Sequence, residues 1–182
     1  MELYAVAAGP GSFTGVRVGL ATVKAWSEVH GPSIAAVSRL EALASHSTGS
    51  CPYVAAFIDA RRNQVFAALY RRGSAAPERI DDEMVIAPDK FLEWCSAKAG
   101  PENIDWVSTD PNCLTQTSGW PSRHSLNETV QEVSALLAPR IGQIGFRLAQ
   151  QNSLTDALHL DANYVRRSDA ELFWKGASAH GA

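Results

Sequence analysis

The sequence predicts an α/β fold in which parallel and antiparallel pairing coexist. Three observations point to it. Short apolar runs alternate with helical patterns over the first 46 residues, the order that builds parallel strands. Residues 53–70 read instead as two apolar strands around a polar turn, the pattern of a hairpin. The chain has 182 residues, 46% hydrophobic and 19% charged, enough for one sizeable domain or two small lobes.

Each element follows from local chemistry. Leu3 to Ala8 is an apolar run read as a strand buried on both faces, and the turn Gly9-Pro10-Gly11 stops it. Ser12 or Thr14 caps a helix that runs to about His30, where Gly31-Pro32 ends it. Ile34 to Val37 is a second strand. Ser38 caps a second helix, Arg39 to about His46, with Glu41 placed for a capping box. Ser45 to Ser50 reads as a linker. Tyr53 to Ile58 and Gln64 to Tyr70 are the hairpin strands, with Asp59 to Asn63 as the turn and a loop over Arg71 to Ser74. Glu83 to Ile86 is a weaker strand. Ala87-Pro88-Asp89 opens a helix to about Ala99 that Gly100-Pro101 closes, and Ile104 to Ser108 is a strand. Residues 110–127 are polar and turn-rich. Val130, Val133, Leu137, Ile141, Ile144 and Leu148 form one helical stripe, but Pro139 forbids a helix interior there, so the predicted helix is 139–151. Asn163 to Lys175 reads as short extended structure and a tail.

Composition excludes several function classes. A net charge of −3 and a pI near 5.9 lack the basic excess of a self-standing nucleic-acid binder. The basic pairs Arg61-Arg62, Arg71-Arg72 and Arg166-Arg167 read as solvated loop or strand ends. Cys51, Cys95 and Cys113 are odd in number and form no CxxC, as expected of free thiols in a reducing compartment. No apolar run reaches the roughly 20 residues of a membrane helix, and the first residues lack a signal-peptide pattern. The expected location is the cytoplasm.

Gly9-Pro10-Gly11-Ser12-Phe13-Thr14-Gly15 stands between a strand and a helix. Helix-start N–H groups beside small residues can receive an anion. The alternative is a tight turn whose glycines permit close packing. No Lys follows these glycines, so a P-loop is excluded, and the dinucleotide-binding glycine spacing fails at Thr14. On the following helix, Phe13, Val16, Leu20 and Val23 share one face, and Arg17, Lys24 and Glu28 another. Gly15 and Gly19 allow close approach of another element. That element is either the chain's own sheet or a partner helix, with Trp26 and Val29 as exposed apolar positions. The five histidines are dispersed, so no metal site is expected. Ser12 lacks the nucleophile-elbow glycine pattern. Asp81-Asp82 and Asp156 with Asp161 read as solvated loop acids. Asp59 beside Arg61 reads as a buried ion pair fixing the hairpin turn.

The segment AVAAGPGSFTGVRVGLATVK, Ala5 to Lys24, followed without a gap by PSIAAVSRLEALA, Pro32 to Ala44, resembles the TsaB (YeaZ) family. IDARRNQVFAALY, Ile58 to Tyr70, and ANYVRRSDAE, Ala162 to Glu171, resemble that family's hairpin and closing segments. The resemblance implies an ASKHA fold of two RNase H-like lobes, related to actin and Hsp70. Residues 1–48 would be the remainder of the first lobe, and 49–182 the second lobe with its C-terminal helix and tail. It further implies that the family's N-terminal segment of about 60 residues, three strands and a helix in size, is not in this sequence, so the first lobe would be N-terminally truncated. The implied function is a non-catalytic subunit that binds TsaD, the catalytic subunit that transfers threonylcarbamoyl groups to the adenosine next to the anticodon of tRNAs reading A-starting codons. TsaE, an ATPase, would join the assembly, and TsaC would supply threonylcarbamoyl-adenylate. The chain would need no cofactor of its own, ATP being used by the complex. It would contact tRNA only through the complex and form a homodimer without TsaD. The expected partner contacts are Arg17, Gly19, Leu20, Lys24 and Trp26. The alternatives are a stand-alone ASKHA-type nucleotide-binding or hydrolysing protein, and a self-associating interaction module.

Overall fold

The computed structural model describes residues 3–165. Strand β1 (Leu3–Gly9) leads into helix α1 (Phe13–His30) and then into strand β2 (Ser33–Ser38), which pairs with β1 in parallel, Tyr4 opposite Ile34 and Val6 opposite Ala36. Ser12 supplies the α1 cap, its hydroxyl accepting from Gly15 N at 3.3 Å, so the cap is Ser12 and not Thr14. Gly31, at φ 83°, closes the helix by donating its N–H to Ser27 O, a left-handed stop that favours glycine. β1 is less enclosed than its composition implies. Val6 and Ala8 are buried against α1, whereas Leu3, Tyr4, Ala5 and Ala7 are only half-buried.

Ser38 both ends β2 and caps helix α2 (Arg39–Ala44), accepting from Leu40 N and Glu41 N. The Glu41 carboxylate does not serve that cap; it pairs with Arg147. The hairpin is longer and tighter than predicted. Strands β3 (Tyr53–Arg61) and β4 (Gln64–Arg72) leave only Arg62-Asn63 as the loop. Both loop residues have positive φ, 56° and 55°, the primed turn whose twist suits a two-residue hairpin. Arg71 and Arg72 belong to β4, not to a loop.

Four strands add to this pair. Strand β5 (Pro77–Arg79), not anticipated from the sequence, and strand β6 (Met84–Ile86) both pair antiparallel with β4. Helix α3 (Pro88–Ala99) then crosses to strand β7 (Ile104–Ser108), parallel to β3. The polar stretch 110–127 holds two short helices, α4 (Asn112–Thr115) and α5 (Trp120–His124). Val130 lies in strand β8 (Val130–Glu132), parallel to β7, and not on a helix: the apolar stripe crosses a strand, a loop and then helix α6 (Ala138–Gln150), which holds Pro139 in its first turn, where its ring is tolerated. Of the predicted terminal stretch, residues 166–175 lie outside the described residues.

The layers follow from alternation along the strands. α1 covers the Val6, Ala8 and Ile34 face of the two-stranded sheet. α6 covers the other, where Gly145 lies against Ala5 and Ala35 with no room for a side chain. α2 and α6 also cover the Val54, Ala56, Ile58 and Phe66 face of the six-stranded sheet. α3 to α5 cover its Ala55, Phe57, Val65 and Leu69 face. The order is therefore α, β, α, β, α, with α2 and α6 shared between the two sheets. Within the last cluster, buried Glu128 accepts from Ile104 N at 2.9 Å and Trp106 Nε1 at 2.7 Å, with Arg123 Nε at 3.5 Å.

Candidate functional site

The glycine-rich turn joins β1 to α1 where three distant segments converge. Gly9, at φ 120°, precedes a cis peptide to Pro10. Asn163 donates its N–H to Ala8 O at 2.8 Å, and a Cβ on Gly9 would lie 2.9 Å from Asn163 O. Arg39 Nη1 donates to Pro10 O at 3.1 Å, and the same guanidinium occupies the space a side chain at Gly11 would need. The two glycines thus admit Asn163 and Arg39 at close range, which supports the tight-packing reading of the motif. Burial holds the Arg39 pKa below its ordinary value.

Phe13 of the motif and Arg17 just after it clip the segment around Tyr164. Arg17 lies over the Phe13 ring at 3.7 Å and donates from Nε to the Tyr164 hydroxyl at 2.8 Å, with the Phe13 and Tyr164 rings 5.9 Å apart. Below the turn, Ser38 donates to Glu83, whose second oxygen accepts from Asn163 Nδ2 at 2.5 Å. The Glu83 side chain is 2% exposed. Its pKa is raised, chiefly by burial and secondarily by the Glu41 charge; the bonds from Ser38 and Asn163 and the Arg79 charge 3.8 Å away oppose the shift. Sequence reading missed Arg39, Glu83 and Asn163 as parts of this junction. Only the adjacency of Arg39 to its cap and the NY pair in the closing segment signalled them.

Helix α1 presents the other candidate surface. Its inward face holds Leu20, Val23 and Ser27, all buried. Leu20, expected as a partner contact, is 5% exposed and packs in the chain's own core, because it falls on the same face as Val23. Arg17 is engaged by Phe13 and Tyr164, and Lys24 is half-buried. Gly19 has open space around it, since a Cβ there would meet no atom within 4 Å. Trp26, half-exposed, is braced by Tyr4 at 5.9 Å. Val18, Ala21, Thr22, Ala25 and Val29 are all exposed on the outward face, with no charge among them. Arg17, Lys24 and Glu28 stand to one side of it. The Asp59–Arg61 pair forms at 3.1 Å, but Arg61 is 87% exposed, so it is a solvated surface pair and not a buried one. The turn is held instead by Arg61 N donating to Asp59 Oδ1 at 2.7 Å.

The thiols are not activated. Burial first, then the neighbouring Asp105, pushes Cys51 up to about 11. Burial with Asp110 and Asp59 pushes Cys113 up to about 12, and burial raises Cys95 well above its ordinary value. Among the described residues, no group of three or more His, Cys, Asp or Glu is placed to hold a metal ion, and no helix is long and apolar enough to cross a membrane.

The family described as TsaD: tRNA N6-adenosine threonylcarbamoyltransferase matches residues 1–127. The tRNA threonylcarbamoyladenosine biosynthesis protein TsaB of Bacillus subtilis (strain 168) is 27% identical over 175 residues, covering 93% of this chain and 71% of the relative. Two solved structures share the fold. One is an uncharacterized protein with similarity to peptidase YeaZ from Pseudomonas aeruginosa, with a TM-score of 0.73, 23% identity, and 91% of this chain and 74% of the other covered. The second is YeaZ from Pseudomonas aeruginosa, with a TM-score of 0.66, 22% identity, and 90% and 73% covered. The alternating layers are those of the ASKHA-like α/β fold expected from the sequence.

Proposed function

Since the chain belongs to the TsaD family and is TsaB (YeaZ)-like within it, we propose that it serves tRNA threonylcarbamoyladenosine biosynthesis as an accessory subunit that binds and activates TsaD without chemistry of its own. The observation that carries this reading is the outward face of α1. Val18, Thr22, Ala25 and Val29 follow one another along it, with Trp26 alongside and the charges kept to its flank. A solvated helix normally carries its polar residues on that side. An apolar face with small residues and a braced aromatic suits a partner helix at close range. The protonated thiols and the Ser12 hydroxyl committed to its cap favour an accessory role over a catalytic one. In this reading, TsaE and ATP act on the assembly, tRNA meets the chain only within it, and the same face closes on a second copy when TsaD is absent.

The test is co-elution with TsaD, read beside threonylcarbamoyl transfer. Val18→Asp and Gly19→Leu are expected to weaken TsaD binding at least tenfold. Thermal melting should be unchanged, since Val18 is exposed and Gly19 has open space around it. Wild-type binding by both variants, or transfer by the chain alone, would overturn the reading. Self-association lost in both variants, with no TsaD binding by the parent, would assign the face to a second copy.

A further inference from the structure

Between α6 and the β4–β5 turn, the structure holds a cleft of about 440 Å³. Its lining includes three arginines, Arg72, Arg140 and Arg147, in a chain whose overall charge is negative. Two of them are pinned. Arg72 bonds Asp105 Oδ2 at 2.6 Å, Ser47 Oγ at 2.8 Å and Cys51 O at 2.9 Å, and Arg147 pairs with Glu41. Arg140 differs: it donates to the neutral Gln143 Oε1 at 3.0 Å, and among the described residues no carboxylate pairs with it. Among the described residues, two of the three guanidiniums are thus paired with a carboxylate and the Arg140 guanidinium is not, while the Glu78 carboxylate reaches the cleft edge beside Gly73. His46 registers the Arg140 charge, its pKa lowered by burial first and by that charge second.

The remaining walls are shaped for a planar ligand as well as an anion. The β4–β5 turn is Gly73-Ser74-Ala75-Ala76, small residues that leave the cleft open. Gly73 is tight against Ala76 O, so the turn keeps its form. Phe146, 63% exposed on α6, stands in the lining, and a phenyl ring exposed there is a stacking platform for a base. The volume lies within the range of small-molecule sites. Fixed arginines lose little freedom on binding a phosphate.

We infer that this cleft binds a nucleotide, its phosphate held among Arg72, Arg140 and Arg147 and its base stacked on Phe146. One guanidinium without a carboxylate partner and one ring suit a single nucleotide and not a long backbone tract, in keeping with the chain's lack of an overall basic excess. The nucleotide is either free or one residue of a tRNA. The inference stands apart from the α1 interface, which lies on the opposite face of the two-stranded sheet from α6.

The experiment titrates the full chain with AMP, with inorganic phosphate and with labelled tRNA, and repeats each titration with Arg140→Glu and Phe146→Ala. Both residues are peripheral to the core, so melting should not change. AMP or tRNA binding is expected to weaken about tenfold in each variant, while phosphate binding falls only in Arg140→Glu. Binding of AMP that also displaces tRNA assigns a free or RNA-borne nucleotide to one site, and binding of tRNA alone restricts it to RNA. The inference is overturned if the parent binds neither AMP nor tRNA, or if Arg140→Glu binds as the parent does. It is also overturned if Phe146→Ala leaves AMP and tRNA binding intact, which would reduce the cleft to an anion site.

Discussion

The two-stranded and six-stranded sheets differ in where their covering layers come from. Strands β3 to β8 and helices α3 to α5 come from one continuous stretch, residues 53–132, which fills one face of the larger sheet by itself. The smaller sheet has only α1 close by in sequence. Its second face is closed by α6, more than 100 residues further on, and its edge by Thr155, which exchanges backbone bonds with Ile34 at 2.8 Å. A two-strand sheet is marginal alone. The β1–α1–β2 unit therefore depends on a long-range docking for its closure, whereas the larger sheet fills one face by itself and shares α2 and α6 on the other.

The largest effect should come from breaking the self-sufficient side. Trp106 is fully buried, with edge contacts to Phe91 and Trp120 at 5.8 Å, and it donates to buried Glu128. Trp106→Ala should lower stability by about 3–5 kcal/mol, through the cavity and a carboxylate short of a donor. Urea unfolding measures it, and a loss under about 1 kcal/mol would mean that the cluster re-packs.

The next effect separates the sheets. A Cβ at Gly145 would come within 2.6 Å of the Ala5 Cβ. Gly145→Leu should push α6 from the small sheet at a cost of about 1–3 kcal/mol. Hydrogen exchange should accelerate over residues 3–38 and stay slow in β3, β4 and β7. Uniform acceleration would show that the two sheets open together.

This asymmetry also explains what the sequence disclosed. The β1–α1–β2 unit, the hairpin strands, α3 and β7 were legible because each carries its own period and its own stop, such as Gly31 or Gly100. β5 and β8 were not, because three residues show no alternation and their strand state comes from the neighbour they pair with. At the candidate sites, the glycine turn was visible as a motif. That Arg39 and Asn163 fill it was not, since nothing local links positions 9, 39 and 163. Leu20 was misassigned for a related reason: periodicity places it on a face but does not say which face the sheet covers. The arginine cleft was invisible because positions 72, 140 and 147 share no motif.

The smallest effect sharpens the junction between the sheets. Glu83 joins Ser38, at the end of β2, to Asn163, with Arg79, Glu41 and Tyr70 as the charged or titratable groups around it. Burial raises its folded-state pKa above the ordinary 4.5, so the folded protein holds this proton more tightly than the unfolded chain does. Its contribution is then fully present below the ordinary value and is lost as pH rises through the raised one. Glu83→Gln removes the titration, and stability should become flatter with pH over that window. The slope is the diagnostic and not the level. The amide cannot accept at both positions, so it loses either the Ser38 or the Asn163 bond and offsets part of what it gains at neutral pH. A variant with the parent's slope in urea midpoints from pH 4 upward would show that the junction carboxylate titrates alike in both states.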